Sequence, residues 1–171
     1  MRGTFFQVGR CVERHPGTTE RLVAAGHVVG NHSYSHRFDR GWRGVEVEQE
    51  LTRSQRVLDD VVGLRPALHR PPWLIRTRGS MAAVARCGLT AVSGEFCHAL
   101  EPFQPDASRM ARRALAKIRP GAIVIFHDGY DARGGDRENT VRAVELVLDE
   151  VIDQGLEPVT LDRLLGLSAY L

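Results

Sequence analysis

His32 and His36, four residues apart in Gly30-Asn31-His32-Ser33-Tyr34-Ser35-His36, are the residues best suited to metal chemistry. Neutral imidazole is the commonest protein ligand for zinc and related ions. Two rings at i and i+4 in one turn can aim their nitrogens at a single point. The spacing alone is a weak signal, because a chain with seven histidines contains close pairs by chance. Other residues strengthen it: Arg70, at the head of Arg70-Pro71-Pro72-Trp73, and His127-Asp128, directly after the apolar run from 122 to 126. Two histidines and a carboxylate can hold a divalent metal with an open position that activates water. A carboxylate base would take the water's proton, and His127 would protonate the departing group. Arg70 could orient a carboxylate through a bidentate pair. Taken singly, each has a plainer explanation: a capped loop histidine, or a rigid Arg-Pro-Pro turn.

These residues share a position relative to the elements that must carry them. Strands are expected over 4–8, 27–30, 67–69, 89–93, 122–126 and 157–160. Helices are expected over 19–25, 47–63, 79–86, 106–118, 141–151 and 161–165. Val47, Leu51, Ser54, Leu58 and Val61 recur in steps of four and three, which lays one apolar stripe along the second helix. A glycine-rich loop is expected from Gly129 to Gly135. Strand–helix alternation implies a parallel sheet covered by helices, open or closed into a barrel. Ligands gather at the carboxyl ends of strands in such folds. His32, His36, Arg70, His127 and Asp128 all follow strand ends.

A length of 171 residues suits one domain with a real core, and residues 1–171 are read as a single domain. A formal net charge of +2, with arginines scattered along the chain, gives no case for nucleic-acid or membrane-surface binding. Cys11, Cys87 and Cys97 are odd in number and form no C-x-x-C pair, so they read as small apolar residues rather than a disulfide framework. No apolar run approaches the roughly 20 residues needed to span a bilayer, and residues 4–8 do not form a signal peptide. On these grounds the chain as given stays in the cytoplasm; a start and signal further upstream would place it outside the cell or in the envelope.

Gly-Asn-His-Ser-Tyr-Ser-His (30–36), Arg-Pro-Pro-Trp (70–73) and Ile-Phe-His-Asp-Gly (125–129) occur in an order that resembles the polysaccharide deacetylase family. This is carbohydrate esterase family four, or the NodB-homology domain. Thr4-Phe5-Phe6-Gln7-Val8-Gly9 and Ala25-Gly26-His27 are similar to its flanking segments, so the resemblance runs from Thr4 to about Leu165. It implies an α/β fold, a distorted parallel (β/α) barrel of the seven-stranded deacetylase type, incomplete at the N-terminus. It also implies removal of N- or O-acetyl groups from chitin-like, peptidoglycan or xylan substrates with a divalent metal, zinc first, cobalt or nickel as alternatives. By the same resemblance His32 and His36 are metal ligands, His127 is the general acid, and Arg70 pairs with the catalytic aspartate. The Trp73 backbone N–H would help hold the oxyanion, and Ile125 would line the acetyl pocket.

Two departures qualify these expectations. The family's Thr-Phe-Asp-Asp motif, source of the base and the third ligand, has no counterpart in these residues, so the chain is expected to be weakly active or inactive by itself. Asp39 is the one conceivable substitute ligand. Glu101-Pro102 stands where the family has Asp-Trp; Glu101 could still orient His127, without the tryptophan wall. Two other functions stay open: a non-catalytic carbohydrate-binding relative, and a cyclic-amide hydrolase of the same superfamily. An open barrel edge would also expose unpaired backbone groups and favour self-association.

Overall fold

Four short parallel strands run side by side in chain order: β1 (Thr4–Gln7), β2 (Val28–Asn31), β3 (Leu68–His69) and β4 (Thr90–Ala91). Their register aligns the ends that matter. Gln7 pairs with Asn31, and Asn31 with His69, so the next residues, His32 and Arg70, leave the sheet at one edge. The computed structural model describes residues 1–103, 105–129 and 135–171, in two compact units, Met1–Ser93 with Val159–Leu171 and Gly94–Pro158.

In the first unit α1 (Gly9–Arg14), α2 (Pro16–Ala24), α3 (Gly44–Val62) and α4 (Arg78–Arg86) accompany the sheet. The expected stripe of α3 is its buried face: Val47, Leu51, Ser54 and Leu58 are all buried. Val47 and Leu51 pack with Ala83, Val84 and Leu89, while Leu58 packs with Val12 and Val29. Gly63 ends α3 in the left-handed region, which glycine enters without a Cβ penalty. Thr77 and Ser80 close a reciprocal capping box at the start of α4. The C-terminal segment returns to this unit. Leu161 N donates to Thr4 Oγ1 at 2.9 Å, ahead of α7 (Leu161–Leu165), and Val29 N donates to the Tyr170 hydroxyl at 3.2 Å.

The second unit has a two-stranded parallel sheet, β5 (Glu95–Phe96) with β6 (Val124–Ile125), and the helices α5 (Ala107–Leu115) and α6 (Glu138–Asp153). Asp106 caps α5, accepting from Arg109 N at 3.1 Å. Cys97, Met110, Ala111, Ala114, Ala143, Val147 and Val151 form its core.

Four expectations change. Residues 9–14 form a helix that no apolar period announces. The helix expected from residue 19 begins at Pro16, because a proline at the first helical turn loses no hydrogen bond. Glu157–Thr160 is not a strand: Pro158 removes a backbone donor from the segment. Residues 95–96, outside every expected strand, pair with β6. The glycine-rich loop lies largely outside the described residues. Among the described residues no helix is long and apolar enough to cross a membrane.

Candidate active site

The two histidines are held together without a helical turn. Residues 32–36 form a loop in which Ser33 (φ 65°) and His36 (φ 53°) occupy the left-handed region, costly for non-glycine residues and sustained only where neighbours fix it. Those neighbours are visible. Asn31 Oδ1 accepts from Ser33 N at 2.9 Å, while its amide donates to Leu51 O and Gln55 Oε1. Gly9 N and Arg10 N, at the start of α1, donate to the carbonyls of Ser33 and Tyr34 at 2.9 Å. Glu50 on α3 accepts from both the backbone and the hydroxyl of Ser35, at 2.6 and 2.8 Å. The His32 and His36 ring centroids are thereby brought to 4.9 Å.

His32 Nδ1 lies 2.7 Å from the Arg70 carbonyl. A carbonyl only accepts, so Nδ1 carries the proton and Nε2 keeps its lone pair, the tautomer a metal ligand requires. Loss of solvation, with the neighbouring His36 ring adding to it, draws the His32 pKa down to about 3, so this imidazole is neutral near pH 7. The His32 ring, with the His36 ring beside it at 4.9 Å, fits a divalent cation as part of its donor set. Among the described residues no group of three His, Cys, Asp or Glu forms. Asp39 does not join the pair; it is exposed and bonded to Arg37 at 2.8 Å.

Arg70 lies beside them. Its guanidinium stacks 4.3 Å from the Phe6 ring centroid and reaches Ser93 O at 3.4 Å. Its Nε is buried with no hydrogen-bond partner among the described residues, and burial lowers its pKa to about 10. Trp73 follows Pro71-Pro72 with φ 50°, and its ring lies 4.4 Å from that of His36.

The second unit holds the other half of the expected residues. His127, just after β6, sets Nδ1 2.6 Å from Glu101 Oε2 and stacks on Phe96 with centroids 5.7 Å apart. Glu101 is almost fully buried and also accepts from the Thr140 hydroxyl at 2.9 Å and from Arg137 at 3.5 Å. Burial pushes its carboxyl upward, but the His127 contact, with help from Thr140 and Arg137, reverses this and holds it below the usual range. Ile125 is buried on β6. Glutamate thus reaches the imidazole that the family's aspartate would orient.

Residues 1–92 match the family profile described as Polysaccharide deacetylase. A chitooligosaccharide deacetylase of Bradyrhizobium sp. (strain ANU 289) is 33% identical over 165 residues, covering 90% of this chain and 74% of that protein. The chain belongs to the polysaccharide deacetylase family. Among solved structures of deacetylases, the Bc1960 peptidoglycan N-acetylglucosamine deacetylase matches with a TM-score of 0.90 at 22% identity, over 98% of this chain and 77% of that one. A family 4 acetyl xylan esterase from Clostridium thermocellum, solved with a cobalt ion, matches at 0.84 and 24% identity, over 99% and 80%. These likenesses establish the fold as the (β/α) barrel type of the deacetylases. Membership brings a divalent metal as the class of cofactor.

Three residues of the site escaped sequence reasoning. Glu50 stands among the other charged residues of α3, and no local pattern ties it to the histidine loop. His69 is buried, donates Nδ1–H to the Asn31 carbonyl at 2.9 Å, and backs the histidine loop. Asn31, wedged between Gly30 and His32, is the one whose side chain could have been suspected of fixing a turn.

Proposed function

We propose that this chain is a metal-dependent deacetylase domain that hydrolyses the acetamide, a non-peptide carbon–nitrogen bond, of N-acetylated carbohydrate, residues 1–171 acting as one domain and by themselves only weakly active, since they hold no counterpart of the Thr-Phe-Asp-Asp motif. The observation that carries the reading is the neutral His32 ring, anchored through Nδ1 to the Arg70 carbonyl and facing His36 at 4.9 Å. His32 and His36 hold a divalent cation, zinc by the preference of imidazole sites. When bound, the metal supplies Lewis acidity and activates water.

The other roles belong to the chain's own groups. His127 gives a proton to the departing amine, and Glu101 keeps the ring oriented. The Trp73 N–H donates to the oxygen on which negative charge develops. Ile125 lines the pocket for the acetyl methyl. The Arg70 guanidinium, its Nε buried and unpartnered among the described residues, supports a carboxylate partner during the reaction. The similarity to a chitooligosaccharide deacetylase favours N-acetylglucosamine oligomers as substrate.

The test is a zinc or cobalt titration of the chelator-treated chain, followed by acetate release from chitopentaose. One tightly bound ion, lost on His32→Ala or His36→Ala, is expected. Failure to bind any divalent ion would refute the reading. Sugar binding with a bound metal but no acetate release would instead favour a non-catalytic relative. A separate proposal concerns β1, one of the two outer strands of its sheet among the described residues: its edge supports self-association, read as a concentration-dependent sedimentation coefficient.

A further inference from the structure

Phe38, Trp42 and Trp73 form a continuous run of aromatic rings that stays in water. Their relative exposures are 56%, 47% and 46%, although Phe38 meets Trp42 at 5.5 Å and Trp73 at 5.4 Å, both edge to face. Large rings that touch one another yet remain about half exposed mark a binding surface more often than a folding core.

The run is positioned by backbone. A 3-10 turn over Phe38–Gly41 is braced by the Arg37–Asp39 pair. The Trp42 carbonyl accepts from the Thr77 hydroxyl at 3.0 Å. Gly44 packs so closely on α4 that a Cβ there would fall 2.8 Å from the Gly79 carbonyl oxygen. Trp73 is fixed by its left-handed conformation after two prolines. A surface held this way loses little freedom on binding.

Its place decides the occupant. Trp73 stacks at 4.4 Å on His36, itself 4.9 Å from His32, so the aromatic run starts at the histidine pair and leads away from it. A pyranose presents an apolar C–H face and a rim of hydroxyls. The aromatic faces suit the first, and Arg37, Asp39 and Arg40 beside them suit the second. We propose that Phe38, Trp42 and Trp73 form a sugar-stacking wall for the residue next to the acetylated one in an N-acetylglucosamine-containing glycan. The sugar's identity rests on the deacetylase reading; the wall itself rests on the ring geometry.

Trp42 and Trp73 are the only tryptophans in the chain, so intrinsic fluorescence reports this wall directly. Titration of the full chain with chitopentaose should give a saturable emission change, in zinc-loaded and chelator-treated protein alike. Trp42→Ala, checked for fold by circular dichroism, should weaken binding about tenfold, and Trp42→Phe should restore most of it. An unchanged affinity in Trp42→Ala, or no saturable response in the folded wild type, overturns the wall. So does a sugar-insensitive dimer abolished by Trp42→Ala, which would give the surface to a second copy. Sugar binding that fails in Trp42→Ala while the wild type releases no acetate upholds the wall and removes only the deacetylase reading. Acetate release with KM unchanged in Trp42→Ala removes only the wall.

Discussion

His32 and Arg70 are joined by a hydrogen bond from an imidazole nitrogen to a backbone carbonyl, 2.7 Å long, between residues that follow neighbouring strands. It settles the tautomer of His32 through a group that no side-chain substitution removes. Metal affinity should therefore depend on the rings and little on the Arg70 side chain. His32→Ala and His36→Ala should each lower zinc affinity by at least about 100-fold, since changes behind a ligand already cost about 10–100-fold. Arg70→Met should bind zinc within about threefold of wild type, a margin well inside that cost. Competition with a chromogenic chelator measures both, and a large loss in Arg70→Met would contradict the tautomer argument.

The sequence made the histidine motif legible, along with the α3 stripe and the placing of reactive residues after strands. Each depends on local type and period. What it concealed depends on distance. Gly9–Arg14 has no helical apolar period, yet the first amides of that helix hold the loop between the two histidines. Glu50 sits on a helix among other charges, and only tertiary structure shows it accepting from Ser35. The i, i+4 spacing suggested one helical turn, whereas two left-handed residues bring the rings together. Hydrogen bonds between residues about 15 to 40 positions apart leave no periodic trace.

Glu101 should matter to stability as well as to His127. Its carboxylate is buried, and the side chains of His127, Thr140 and Arg137 point hydrogen-bond donors at it. Glu101→Ala would strand those donors and should cost roughly 2–4 kcal/mol. For a chain of this size that is a fall in Tm of about 5–15 °C, read by differential scanning calorimetry. Glu101→Asp should recover part of the stability, since the charge survives on a shorter arm. A melting curve for Glu101→Ala that matched wild type would show that the network contributes nothing.

Acid should loosen the metal-free chain through His69. Burial holds its pKa at about 4, against an ordinary value of 6.5, with its Nδ1–H on the Asn31 carbonyl only partly opposing. Between these values the unfolded chain binds a proton that the folded chain refuses. Stability is therefore complete above pH 6.5 and declines as the pH falls toward 4. The His69 share of that loss reaches roughly 3 kcal/mol. Urea midpoints of chelator-treated protein between pH 7 and 4 measure the slope. His69→Gln should make it shallower, and an unaltered slope would mean that His69 titrates normally.

Gly30 is required by the ring that supports Arg70. A Cβ at this position would fall 2.5 and 2.6 Å from two carbons of the Phe6 ring, distances at which something must move. The Leu68 carbonyl oxygen, at 3.3 Å, limits the escape of β2 toward β3. The ring must therefore shift, and it carries the Arg70 guanidinium at 4.3 Å from its centroid. Gly30→Ala should cost about 1–3 kcal/mol by overpacking. Phe6→Leu alone should also destabilise, by lost burial and the lost cation–π contact. The smaller side chain nevertheless makes room for the alanine, so the double variant should fall short of the summed costs by about 1 kcal/mol or more. Urea denaturation of the four proteins closes this cycle, and strict additivity would show that the β2 glycine and the Phe6 ring do not compete for the same space.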